Sequence, residues 1–184
     1  MADGSAAIDE IIGFWFGEIE PAQWYAQSDA LDATIAARFG ALHAAAAACE
    51  LFGWRQSPEG RLAEIIILDQ FSRNMFRGTA AAFANDALAL ALAQEAVRAG
   101  TDTALPAMQR AFLYLPYMHS ESATIHTVAM ALFDTPGMEN NLDFERQHKA
   151  IIDRFGRYPH RNAVLGRTSS GEELEFLATT GSSF

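Results

Sequence analysis

Three short stretches hold most of the side chains able to do chemistry. They are Asp69-Gln70-Phe71-Ser72-Arg73-Asn74, His119-Ser120-Glu121 and His160-Arg161-Asn162. Two uses suit their residue types. A histidine oriented by a carboxylate is a general base near neutral pH, because imidazole titrates in that range. His119 or His160 beside Asp69 or Glu121 fits that role. Arginine suits an anion, since guanidinium carries a permanent charge and a planar fork of donors. Arg73 and Arg161 fit that role, with Gln70, Asn74, Ser120 and Asn162 as hydrogen-bonding neighbours. Asp69 and Arg73 are four apart, so on a helix they share a face and can pair. Leu62, Ile66 and Phe76 lie on that face too. The pair is therefore expected to be partly buried, either as a structural clamp or as part of a site.

Satisfying so many polar groups separately inside an apolar, alanine-rich core is costly. The expectation is that the three stretches converge on one partly wet cavity, with Trp15 or Phe71 as a wall. The competing expectation is a closed polar network with no room for a ligand. His119 and His126 are seven apart and share a helix face only if the helix begins straight after Pro116; Glu121 then completes a weak metal set. His148 falls on an apolar stripe with Phe144, Ile151 and Phe155 and is expected to face the core. The single cysteine, Cys49, is expected as a small core residue. The chain has no GxSxG elbow, no GxxxxGK[ST] loop, no HExxH and no paired CxxC. No metal and no cofactor is expected.

The elements that must position these residues read as helices. Ile8, Ile11, Ile12, Trp15 and Phe16 recur at helical spacing over 5–16. Ser28 caps a second helix with the stripe Leu31, Ile35, Phe39 and Leu42. Ser57-Pro58 opens a third, with Leu62 and Ile65 to Leu68 and a continuation to Met75. Asn85-Asp86 introduces a helix to Arg98, with Gly100 as its stop. A further helix begins near Pro106, and Pro116 is expected to end or kink it. Ser120 or Ser122 opens the next, to Phe133. Glu139 to Phe155 is the last long helix, ended by Gly156, and Ser170-Gly171-Glu172-Glu173 forms a capping box for a short one. The loop carrying Trp24 and Tyr25 is expected to pack on the core. This makes an all-α chain of about eight helices in antiparallel hairpins, a single domain over 1–184 with frayed ends near 1–4 and 179–184.

Five segments carry a resemblance. Leu68-Asp69-Gln70-Phe71-Ser72-Arg73-Asn74-Met75-Phe76-Arg77-Gly78, Phe112-Leu113-Tyr114-Leu115-Pro116-Tyr117-Met118-His119-Ser120-Glu121 and Phe155-Gly156-Arg157-Tyr158-Pro159-His160-Arg161-Asn162 resemble the marker blocks of bacterial domain-of-unknown-function family 924. Ile11-Ile12-Gly13-Phe14-Trp15-Phe16-Gly17 resembles its opening block, and the capping box followed by Glu175-Phe176-Leu177 its closing one. The resemblance implies a tetratricopeptide-like, irregular helical bundle or solenoid, and implies no activity.

Composition bounds the partners. Lys and Arg number 13 and Asp and Glu 23, a net charge of 13 − 23 = −10. Such a chain is repelled by nucleic acid and by anionic membranes, so neither is expected as a partner. The cytoplasm is the expected compartment. Six of the 13 basic residues fall between Arg146 and Arg167, a local excess that opposes the global sign. Two functions stay open: a binding module for an anionic small molecule or peptide, and a small-molecule hydrolase with a histidine–carboxylate base. The oligomeric state is open as well.

Overall fold

Ile8, Ile11 and Ile12 form the apolar face of α1 (Gly4–Gly13), which continues without a break into a π-helical turn over Phe14–Glu18. The structure, a computed structural model, describes residues 4–179. The frayed ends expected at the two termini therefore lie almost wholly outside the described residues. The Ser28 Oγ accepts from the Leu31 N–H at 3.3 Å and opens α2 (Asp29–Ala47). Ile35 and Phe39 of its stripe are fully buried. Cys49 departs from expectation. It is exposed, at φ 59°. α2 stops at Ala47, and Cys49 takes the left-handed turn that returns the chain, so it faces solvent rather than the core.

The Ser57 Oγ accepts from the Gly60 N–H at 3.0 Å to open α3 (Pro58–Ile66). The helix runs on through a π-helical turn, Ile67–Phe71, into α4 (Ser72–Met75). Residues 62 to 72 are all buried. This explains four consecutive apolar residues: the helix is surrounded, not laid on one face. Next come α5 (Asp86–Arg98), α6 (Ala107–Met118), α7 (Ala123–Phe133), α8 (Glu139–Phe155) and the short α9 (Gly171–Leu177). With α3 and α4 counted as one interrupted helix, the described residues hold eight helices and no strand. The result is an all-α helical bundle. α1, α5 and α6 pack against α3, while α6, α7 and α8 pack one on the next.

Pro116 does not end α6, which continues to Met118. The His119 N–H still reaches the Leu115 carbonyl at 2.9 Å. All residues from Ala111 to Met118 are buried, so packing on every side holds the turn that proline alone would weaken. Tyr25 does not pack down as expected. It is 68 % exposed, while its neighbour Trp24 is anchored by an Nε1–H donated to the Trp15 carbonyl at 2.8 Å. Gly156, at φ 68°, terminates α8 and turns the chain toward Tyr158. The capping box of α9 forms as read: Ser170 N–H donates to Glu173 and Glu173 N–H to Ser170 Oγ. No described helix is long and apolar enough to cross a membrane.

Candidate functional site

The π-helical turn at Ile67–Phe71 sets the first part of the site. One extra residue in a turn rotates every later side chain by about 100° relative to an α-helix. Leu68 and Phe71 remain fully in the core, while Gln70, Arg73 and Asn74 line a cavity of about 570 Å³. His119, at the C-terminal end of α6, and His160 and Arg161, on the 3₁₀ turn Pro159–Arg161, line the same cavity.

Asp69 lies behind this wall, 1 % exposed. Its Oδ1 accepts from His119 Nδ1 at 2.7 Å and from Arg73 Nη1 at 3.1 Å. Its Oδ2 accepts from Gln70 Nε2 at 2.6 Å. Burial opposes ionisation, but the Arg73 charge and the two other hydrogen bonds outweigh it and hold the carboxyl well below the usual range. His119 is pushed the other way. Burial and then the Arg73 charge lower its pKa, against the pull of Asp69. The ring is neutral, with its proton on Nδ1 and its lone pair on Nε2.

Asp86, the first residue of α5, joins two of the arginines. Arg73 donates to its two oxygens at 3.0 and 3.1 Å, and Arg161 Nη1 donates at 3.2 Å. Arg161 is 6 % exposed and lies 4.6 Å from both the Phe83 and the Tyr158 ring centroids. Burial, and then the nearby Arg73 charge, lowers its pKa. Both rings lie within cation–π range of the guanidinium and hold it in place. Its Nε has no hydrogen-bond partner, and neither does Nδ1 of the adjacent His160. Burial, helped by Arg161, pushes the His160 pKa down to about 4. His148 is a third neutral imidazole in the lining. Its Nδ1–H donates to the Phe144 carbonyl at 2.8 Å, and burial lowers its pKa to about 3. His148 is thus buried as expected, but beside a cavity. Phe144, expected on the same core stripe, is half exposed at that cavity.

The remaining candidates go elsewhere. Ser120 and Glu121 line a second cavity of about 340 Å³. Glu121 does not partner a histidine. It accepts from Arg167 Nη1 at 2.5 Å and from the Tyr158 N–H at 2.8 Å, tying the loop after α8 to the start of α7. Asn162 lines neither cavity; its Nδ2 donates to Ser169 Oγ at 3.0 Å. Trp15 and Phe71 do not wall the cavity but pack edge to face at 5.5 Å in the core. The walls are Trp24, Tyr25, Phe83, Phe144 and Tyr158. His126 lies apart from His119, with Nδ1 on Glu145 at 2.6 Å and Nε2 on the Ser120 carbonyl at 2.8 Å. Among the described residues, no three His, Cys, Asp or Glu side chains are arranged so that they could hold a metal ion. Sequence reasoning missed Phe83 and Phe144, which no motif marks. It also missed Arg77, whose position one turn beyond Arg73 was a usable signal.

Phe83, His119 and Arg161 line both cavities and so form the partition between them. The charged residues that line the main cavity are all of one sign. They are Arg73, Arg77 and Arg161, and no carboxylate lines the cavity among the described residues. The compensating Asp32, Asp69 and Asp86 contact these arginines from outside that lining.

The fold defines a class, an all-α helical bundle. The chain belongs to the family described as bacterial protein of unknown function, DUF924, whose model matches residues 11–181. Its structure is similar to that of a protein of unknown function from Agrobacterium tumefaciens. That protein is 40 % identical, the TM-score is 0.91, and the match covers 96 % of this chain and 99 % of the other. No curated protein matches the chain.

Proposed function

We propose that this protein binds a small anionic molecule in the main cavity. The observation that carries the reading is the sign of the lining: three arginines and no carboxylate, in a chain of net charge −10. A cavity of about 570 Å³ suits a small molecule better than a peptide. Arg161 Nε and His160 Nδ1, both without partners, mark where an anionic oxygen gains most, because an unsatisfied buried polar group costs about 1–3 kcal/mol. The test is a thermal-shift screen of a metabolite library, followed by calorimetry on each hit. Arg161→Gln should weaken binding by about tenfold or more, the loss of one charge-assisted hydrogen bond. Arg98→Gln, at an exposed arginine remote from the cavity, should leave it unchanged. Equal affinity in parent and Arg161→Gln would refute the reading.

One observation favours a second reading, a small-molecule hydrolase. The Asp69–His119 contact orients the ring so that Nε2 can take a proton from water at the cavity. No serine, threonine or cysteine lines the cavity among the described residues, so water would be the nucleophile. Turnover of a screening hit that His119→Gln abolishes, with binding retained, would establish this reading over simple binding.

A further inference from the structure

The main cavity is graded from rim to floor. Arg161 and His148 are 6 % and 7 % exposed, whereas Phe144 and Tyr25 are 50 % and 68 % exposed, yet all four belong to one lining. Arg161 and His148 therefore lie deep, while the Tyr25 and Phe144 rings, and Arg77 with them, stand at the mouth. Large exposed rings cost hydrophobic free energy, and two at one cavity mark a surface that gains by being covered. Trp24 sits beside Tyr25 and is held rigid by the Trp15 carbonyl and by edge contacts to Phe16 and Phe112. Further in, the Phe83 and Tyr158 rings fix the Arg161 guanidinium from 4.6 Å each, and its Nε is left without a partner.

We propose that the ligand is a planar aromatic or heteroaromatic anion. Its ring lies among Trp24, Tyr25 and Phe144, and its charged group reaches Arg161 and His160. This rests on the anion-binding reading above and adds the class of the rest of the molecule. An aliphatic anion would satisfy the floor but leave the rim rings without a stacking partner. A neutral aromatic would cover the rim but leave the two unpartnered nitrogens as they are.

The experiment is calorimetry on the full chain with four probes: 2-naphthoate, decahydronaphthalene-2-carboxylate, 2-naphthamide and inorganic phosphate. The saturated acid has the same carbon skeleton as naphthoate and is no less hydrophobic, so a preference for naphthoate reports stacking. Naphthoate should bind about tenfold more tightly than the saturated acid, which lacks the stacking ring, and about tenfold more tightly than the amide, which lacks the charge. Tyr25→Ala and Phe144→Ala should each weaken naphthoate several-fold and leave phosphate unchanged. Both side chains are at least half exposed, so both variants should keep the parental melting temperature. Equal affinity for naphthoate and its saturated analogue overturns the aromatic class while leaving the anion reading intact. Equal affinity for naphthoate and naphthamide overturns the anionic group. Binding of none of the four overturns both.

Discussion

Replacing Asp69 with alanine tests the foundation of the site. The carboxylate is 1 % exposed and receives Nδ1 of His119, Nη1 of Arg73 and Nε2 of Gln70. Removing one partner of a buried ion pair costs about 3–5 kcal/mol, mostly because the other partner is left uncompensated. Arg73 keeps its two bonds to Asp86, which places the loss near the lower end, about 3 kcal/mol. A chain of this size loses about 2–4 °C of Tm per kcal/mol, so Asp69→Ala should melt about 6–12 °C lower. The assay is thermal melting at pH 7 followed by circular dichroism. A pH series adds a sign. The folded Asp69 pKa is depressed, so its contribution is full above about pH 4, the unfolded value, and is lost as pH falls through the folded one. The gap between parent and variant should therefore close as pH drops from 5 towards 2. A variant that melts within about 2 °C of the parent, or a gap independent of pH, would refute the assignment of Asp69 as the charged anchor of this wall.

Two further predictions concern stability. His148 and His160 have folded pKa values of about 3 and about 4, below the ordinary 6.5. The unfolded chain takes up these protons first, so stability is full above about pH 6.5 and falls as pH drops towards 4, by about 1.4 kcal/mol per pH unit for each ring. His148→Gln should remove its share of that slope between pH 6 and 4.5 in urea titrations; an unchanged slope would count against a neutral buried ring. At Gly60, a Cβ would meet the Trp54 carbonyl oxygen at 2.1 Å, whereas at Gly53 it meets nothing within 4 Å. Gly60→Ala should cost about 1–3 kcal/mol by overpacking and Gly53→Ala far less, and equal urea midpoints would contradict that.

Much of the architecture was legible because helix signals are local. Ser28, Ser57 and Ser170 cap where their types and spacing say they should, since an N-cap needs only its own hydroxyl and an N–H two or three residues on. Gly156 terminates α8 for an equally local reason. Errors came where packing overrode local preference. Pro116 sits in the part of α6, residues 111–118, that is buried throughout, and Cys49 faces solvent because α2 stops two residues before it.

The sequence by itself determined the all-α class, the bounds of most helices, the family and the Asp69–Arg73 pairing, all of which follow from residue type and short spacing. The tertiary structure decided which groups meet. It placed His119 on Asp69 across 50 residues, gave Glu121 to Arg167 rather than to a histidine, and sent Asn162 to Ser169. It also put Tyr25, Phe83 and Phe144, from three separate parts of the chain, around one cavity. Helical periodicity tells which face of a helix is apolar. It carries no information about which distant polar group lies opposite, because that depends on how α4, α6 and the turn after α8 pack together.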